Sequence, residues 1–258
     1  MQEYLNVAIK AAKEAGKVAL EKAEKLSVST KETKFDFVTN ADIEVAKIII
    51  EILSERFPKI GFLAEESGTI EKSSELLWVI DPIDGTNNYI NGIPFFCTSI
   101  ALAKHNEPVL GVIYEPNRAE LFYAVKGSGA FLNGKKIIVS NRASLDKAIF
   151  VLSFSSARKA QEVASLGHHS FMDLYKNTRA IRKFGAVALE LAYLASGRVD
   201  AVLHRNIKPW DGAAGAILIQ EAGGKVINQF AEPWRIHDRF MLATNGLLHK
   251  QLTDLLNI

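Results

Sequence analysis

Trp78-Val79-Ile80-Asp81-Pro82-Ile83-Asp84-Gly85-Thr86-Asn87-Asn88-Tyr89 is the stretch of this chain that decides its reading. The β-branched and aromatic residues before Asp81 suit a buried strand. Pro82 lacks an N–H and has a fixed φ, so the strand is expected to stop there if it lies inside a sheet. Gly85 allows a sharp turn or the close approach of a ligand. Two carboxylates then stand on a rigid turn and can converge on one point. Like charges held that close need a cation, a shared proton or strong hydrogen bonds. A hard divalent cation (Mg²⁺, Mn²⁺ or Ca²⁺) is the economical answer, because carboxylate and carbonyl oxygens suit it.

Upstream of this turn, the segment from Glu3 to Ala23 and the segment from Ile43 to Phe57 carry apolar residues at helical spacing. Thr39, Asn40 or Asp42 caps the second helix and Pro58 closes it. Gly61-Phe62-Leu63-Ala64 is a short strand running into Glu65 and Glu66. Downstream, Thr98 to Lys104, Val109 to Glu115 and Leu121 to Val125 read as strands. Asn133-Gly134, between Ala130-Phe131-Leu132 and Ile137-Ile138-Val139, signals a hairpin with a type I′ turn. The glycines of Lys126-Gly127-Ser128-Gly129 complete no phosphate-binding pattern and read as a loop between strands.

The second half alternates. Strands are expected over Ile149 to Ser153, Val199 to Leu203 and Lys225 to Asn228. Helices are expected over Ser156 to Leu166, Ala186 to Ser196, Ala213 to Ala222 and Leu247 to Leu256. A boundary near Ser140 to Leu145 divides 1–140 from 141–258 without a linker signature. His168-His169 reads as loop and His105 as part of a turn.

The chain has 258 residues with 31 basic and 29 acidic side chains, a net charge of +2 and 48% hydrophobic residues. Such a balance gives no electrostatic case for nucleic acid. Cys97 is the one cysteine, which excludes an intramolecular disulfide and a cysteine-based zinc site. It reads as a small buried apolar residue. No run approaches a membrane span, and the N-terminus shows no cationic-then-apolar signal pattern, so a cytoplasmic protein with no membrane partner is expected.

Beyond the turn, Asp42, Glu65 with Glu66, and Asp211 stand out. Each has an ordinary reading, as helix cap or solvated turn. Taken in order they say more. Glu65-Glu66-Ser67, then Asp81-Pro82-Ile83-Asp84-Gly85-Thr86, then Trp210-Asp211-Gly212-Ala213-Ala214-Gly215 with Glu221-Ala222-Gly223-Gly224, resembles the inositol monophosphatase family. That family belongs to the lithium-sensitive, Mg²⁺-dependent phosphatases, which include the fructose-1,6-bisphosphatases. The likeness runs end to end, and includes Val38 to Asp42 and Gly127 to Asn133.

The resemblance implies an α/β protein layered as an alternating α-β-α-β-α sandwich, with an N-terminal α+β half and a C-terminal α/β half. It implies two to three Mg²⁺ ions held by Glu65, Asp81, the Ile83 carbonyl, Asp84 and Asp211. Thr86, oriented by Asp42, would work with Glu65 on the attacking water. Gly85 and Thr86 would bind phosphate through their amides, and Asp84, Gly185, Ala186, His204 and Asp211 would meet the substrate. A homodimer is the usual family state.

Two positions depart from the family pattern. Ala186 replaces the usual serine or threonine. His204 stands where inositol-selective enzymes carry a glutamate, with Arg205 and Lys208 nearby. Arg179, Arg182 and Lys183 precede Gly185. These cations point to a mouth more positive than that of inositol enzymes, and to a substrate with a second negative group. Inositol 1-phosphate is the first candidate substrate and fructose 1,6-bisphosphate the second, with 3′-phosphoadenosine 5′-phosphate or NADP as nucleotide alternatives. A regulatory binding protein on the same fold is the non-enzyme alternative.

Overall fold

The computed structural model describes residues 1–23, 26–30, 37–66, 68–154 and 168–258. In chain order its elements are α1 (Gln2–Lys22), β1 (Val28–Thr30), β2 (Phe37–Thr39), α2 (Asn40–Arg56), β3 (Gly61–Ala64), β4 (Gly68–Ile70), β5 (Leu76–Asp84), α3 (Thr86–Ile90) and β6 (Cys97–Lys104). There follow β7 (Glu107–Glu115), β8 (Glu120–Val125), β9 (Gly129–Leu132), β10 (Lys135–Ile137), β11 (Ile149–Phe154), α4 (His168–Asn177), β12 (Ala180–Arg182) and α5 (Val187–Ala195). The chain ends with β13 (Ala201–Arg205), α6 (Pro209–Glu221), β14 (Lys225–Ile227), β15 (Phe240–Thr244) and α7 (His249–Leu256).

Two large sheets organise these elements: an eight-stranded one in the order β10-β9-β8-β7-β6-β5-β3-β4, and a five-stranded one in the order β12-β11-β13-β15-β14. One face of the larger sheet is covered by α1 and α2, through Leu5, Ala8, Val45 and Ile49 against Trp78, Ile80 and Ile100. Helices α5 and α6 fill the space between the sheets, where Val79, Ala101 and Phe122 of one meet Val202, Val226 and Ala243 of the other. On the far face of the smaller sheet, Leu174 of α4 and Leu252 of α7 pack over Phe150, Leu203 and Leu242. The layers alternate helix, sheet, helix, sheet, helix, as the resemblance implies.

The composition of α6 explains its place. Its residues from Gly212 to Ile219 are all buried, the pattern of a helix with apolar neighbours on every side. Its small residues permit the fit, since a Cβ at Gly215 would stand 2.4 Å from the Leu191 side chain. At its end, both carboxylate oxygens of Glu221 accept loop amides, from Gly127 and Gly129, each at 2.7 Å. Those glycine amides are thus spent on a structural contact, which agrees with the loop reading and removes any phosphate role.

Several expectations change. β5 does not stop at Pro82 but runs on to Asp84. Asp81 pairs with Ser99 and Asp84 with Cys97, leaving a bulge between them. On its other edge β5 has outrun β3, whose last pair is Ala64 with Ile80, so no ladder bond requires the missing N–H of Pro82. α6 starts at Pro209 rather than Ala213, with proline at a helix-compatible first position. His168 and His169 open a helix instead of lying in a loop. Strand β13 sits two residues later than expected and so takes in His204. Periodicity gave no warning of the short strands β4, β12 and β15. The expected helix over Ser156 to Leu166 lies outside the described residues. Asn133 and Gly134 both have positive φ, as a type I′ turn requires. Cys97 is buried.

Candidate active site

The site forms where the ends of β3 and β5 meet the starts of α2, α3, α5 and α6. Asp81 and Asp84 flank the bulge on β5, and the Glu65 amide just beyond β3 donates to the Ile80 carbonyl at 3.2 Å. Gly85 turns the chain with φ of 94°, a conformation that disfavours any side chain, and a Cβ there would stand 2.9 Å from Ala186. α3 starts directly afterwards at Thr86.

Asp211 lies across from β5 at the third position of α6, where its Oδ2 accepts the Lys208 amide at 3.2 Å. The Ser99 hydroxyl reaches the Trp210 carbonyl at 3.3 Å and joins β6 to this helix start. Asp81, Asp84 and Asp211 each offer a carboxylate oxygen within 4.8 Å of the other two. Asp42 belongs to a capping box with Thr39: the Thr39 amide and hydroxyl both donate to its Oδ2, at 2.7 and 2.6 Å. Its Oδ1 faces the Thr86 hydroxyl at 3.5 Å, and that hydroxyl lies 3.1 Å from the Ile83 carbonyl.

The electrostatics show what this assembly lacks. Burial pushes the Asp81 carboxyl well above the usual carboxylate range, and the charges of Glu65, Asp84, Asp211 and Asp42 push it further. Asp211 rises for the same reasons, burial first and then Asp84 and Glu65. Asp84 is pushed up to about 7 by burial, although the Ala188 and Val187 amides pull the other way. Asp81 Oδ1 is buried and has no hydrogen-bond partner among the described residues. Buried carboxylates that repel one another and keep an unfilled lone pair fit a hard divalent cation, for which oxygen-only donors are the preferred set.

Gly185 and Ala186 lie beside Gly85 and lead into α5. His204 sits on β13 and is only 2% exposed. Burial, helped by the nearby Lys183 charge, lowers its pKa to about 3, so the ring is neutral at ordinary pH. Its Nδ1 has no hydrogen-bond partner among the described residues. His204 itself therefore contributes no charge to the mouth, and any positive charge there comes from the neighbouring arginines and lysines. Arg205 instead lies against the Phe240 ring, 5.5 Å from its centroid, and Lys208 over Trp210 at 6.0 Å.

Sequence reasoning missed two supports. Asn88 donates from its Nδ2 to the Phe95 and Phe184 carbonyls, both at 2.8 Å. Glu190 is fully buried, and its Oε1 accepts the amides of Phe184 and Gly185 at 2.8 and 2.9 Å. The available signal was a lone carboxylate inside the apolar run Val187-Ala188-Leu189-Glu190-Leu191-Ala192.

Known proteins share this arrangement. The profile of the inositol monophosphatase family matches residues 1–257. A protein of Synechocystis named inositol-1-monophosphatase is 37% identical over 99% of this chain and 89% of its own length. One of Xylella fastidiosa named Nus factor SuhB is 40% identical over 86% of this chain and 80% of its own. Among solved structures, the extragenic suppressor protein suhB of Bartonella henselae superimposes with a TM-score of 0.91 at 36% identity, covering 97% of both chains. An IMPase/NADP phosphatase described as complexed with Mg²⁺ and phosphate has a TM-score of 0.82 at 26% identity, covering 95% of this chain and 91% of its own. With the fold, the carboxylate cluster and a match over nearly every residue in agreement, the chain belongs to the inositol monophosphatase family of metal-dependent phosphatases.

Proposed function

We propose that this phosphatase hydrolyses a small phosphorylated polyol or sugar, inositol 1-phosphate first, with Mg²⁺ as its cation. The observation that carries the reading is the buried, mutually repelling trio Asp81, Asp84 and Asp211 beside Glu65, with one Asp81 oxygen left without a partner among the described residues. Those four side chains and the Ile83 carbonyl would hold two to three ions. Bound there, the cations lower the pKa of a water and neutralise charge on the phosphate and the departing alkoxide.

The chain supplies the rest. Thr86 has two acceptors facing its hydroxyl, Asp42 Oδ1 and the Ile83 carbonyl. Its oxygen can then accept a hydrogen bond from an attacking water and take that water's proton as its own passes to the Asp42 carboxylate, with Glu65 as the second base. Asp42 is itself fixed by Thr39, so the hydroxyl is oriented before substrate arrives. The amides of Gly85 and Thr86, at the positive-φ turn, form a nest for phosphate oxygens. In this reading the Gly185–Ala186 segment and the neutral imidazole of His204 would face the alcohol portion, with Asp84 and Asp211 as hydroxyl acceptors. A neutral His204 accepts one hydrogen bond from a hydroxyl and gives no attraction to a second phosphate, which favours the polyol monophosphate over fructose 1,6-bisphosphate, 3′-phosphoadenosine 5′-phosphate or NADP.

Phosphate release from those four compounds with Mg²⁺ tests the proposal, and inositol 1-phosphate is expected to have the highest kcat/KM. A second reading, a regulatory binding role, is favoured by the relative named a Nus factor. No turnover of any panel member at saturating Mg²⁺ would put that role first. Among the described residues no helix is long and apolar enough to cross a membrane. A cytoplasmic homodimer without a nucleic-acid partner completes the proposal, checked by light scattering and by titration with labelled RNA.

A further inference from the structure

α5 begins without a side-chain cap. Its N-cap residue is Ala186, which has no acceptor to offer the first amides of the helix. Four amides around this entry are nonetheless satisfied, and two buried carboxylates satisfy them. Asp84 takes Val187 N–H on Oδ1 at 3.0 Å and Ala188 N–H on Oδ2 at 2.7 Å. Glu190, one turn into the helix, folds back to take Phe184 N–H and Gly185 N–H. Asn88 of α3 closes the same loop from the other side by donating to the Phe184 carbonyl.

We propose that Glu190 is a positioning residue for the phosphatase reaction: it fixes the Phe184–Ala186 entry so that the next two amides hold the Asp84 carboxylate toward Asp81 and Asp211. The inference rests on the proposed function in taking Asp84 as a cation ligand. Three observations carry it. Glu190 is 0% exposed in an apolar helix, and a carboxylate is stable there only when hydrogen-bonded, so its place is tied to these amides. Gly185 has φ of 88°, and a Cβ on it would lie 3.3 Å from the Asn88 carboxamide, so the entry is confined from both sides. Among the described residues, the backbone donors to Asp84 are the two amides that this entry presents. The Cys97 thiol approaches Oδ2 as well, at 3.7 Å, whereas Oδ1 meets the Val187 amide and keeps a lone pair for a cation, so the amides aim the carboxylate without occupying it fully. Outer partners of this kind set ligand orientation and through it cation affinity.

The test compares Glu190→Ala, Glu190→Gln and Glu190→Asp. The readouts are the Mg²⁺ concentration for half-maximal phosphate release, kcat and KM, and the Mg²⁺-induced rise in melting temperature. Glu190→Ala is expected to weaken Mg²⁺ by about 10- to 100-fold. Glu190→Gln, which keeps an acceptor oxygen in place, is expected to restore most of that affinity. If the alanine variant fails to fold, Glu190→Asp decides: it keeps the charge but draws the acceptor back by one methylene, and is expected to bind Mg²⁺ as weakly as predicted for alanine. A folded Glu190→Ala or Glu190→Asp with wild-type Mg²⁺ affinity overturns the proposal, and so does a Glu190→Gln as impaired as Glu190→Ala. Because Mg²⁺-induced stabilisation is read without substrate, these outcomes stay distinct from a wild-type protein that binds Mg²⁺ yet releases no phosphate, which would sink the proposed function instead.

Discussion

Asp81 and Asp200 are both almost wholly buried aspartates, 2% and 0% exposed, yet they are opposite kinds of residue. Asp200 is surrounded by donors: Arg142 Nε at 2.6 Å, the Ile149 amide at 2.7 Å and the Ser140 hydroxyl. Its bonds tie the segment after β10 to β11 and the start of β13. Asp81 is surrounded by acids, and one of its oxygens has no partner. Burial alone therefore does not mark a site. Burial with unmet hydrogen-bonding capacity and repelling neighbours does, because that state is costly unless something outside the chain joins it.

Exchanging charge for a neutral isostere is the sharpest way to break the contrast. Asp211→Asn should lower Mg²⁺-stimulated phosphate release by about 1,000-fold, the equivalent of about 4 kcal/mol of transition-state stabilisation. The same change removes one repelling charge, so the EDTA-treated variant should melt no lower than wild type. A variant with near wild-type turnover would dismiss the cluster as the reaction centre. Asp200→Ala should behave in the reverse sense. It leaves the Ile149 amide and the Arg142 guanidinium without their acceptor, a cost of about 3 kcal/mol in denaturant unfolding. Turnover per folded molecule should stay unchanged, and a large loss in kcat would show that the two regions are coupled.

How much of this was legible in the sequence follows from the same physics. The helix periodicity of α1 and α2, the Asn133-Gly134 hairpin and the sharp turn at Gly85 are local patterns, and the structure keeps them. What escaped depends on partners distant in the chain. The course of β5 through Pro82 is allowed only because β3 ends first, which no local pattern states. Asp84 as the cap of α5 joins residues 103 positions apart. The protonation state of His204 was open in the sequence, and its burial on β13 decides it as neutral. Among the carboxylates, spacing alone did not separate site from scaffold. Asp200 and Glu190 gave little sign of their roles because both act by accepting backbone amides from loops elsewhere.

A smaller effect sharpens the comparison through pH. Asp84 has its carboxyl raised from 3.8 to about 7 in the folded, cation-free protein. Between those values the unfolded chain has released the proton while the folded one still holds it, so stability falls as pH rises through that window. Above about 7 the penalty is complete, and below 3.8 it is absent. Melting temperature in EDTA should therefore decline more steeply between pH 4 and 7 for wild type than for Asp84→Asn. Slopes are the quantity to compare, because the asparagine amide also disturbs one of the two α5 contacts. Saturating Mg²⁺ should cancel the extra slope by favouring the ionised carboxylate. Equal slopes in EDTA would show that Asp84 titrates normally and that the cluster is less strained than its burial implies.

The smallest expected effect on turnover concerns His204. Its folded pKa of about 3 lies below the ordinary 6.5, so the unfolded state takes up the proton first. Stability should fall as pH drops from 6.5 toward 3, and should owe nothing to this group's titration above that range. In the reaction, the ring should add no ionisation to the kcat/KM profile at neutral and alkaline pH. His204→Gln removes the titration while keeping a side-chain acceptor, so its profile should have the same shape as wild type, displaced only in height. A wild-type inflection near pH 6.5 that disappears in the variant would mean that His204 becomes charged in the working enzyme. It would then be a cationic contact after all, and substrates bearing a second negative group would move ahead of the polyol monophosphate. If the shape is unchanged, His204 and Asp81 stand as two answers to burial: a group that can become neutral does so, while a crowd of carboxylates draws in a cation.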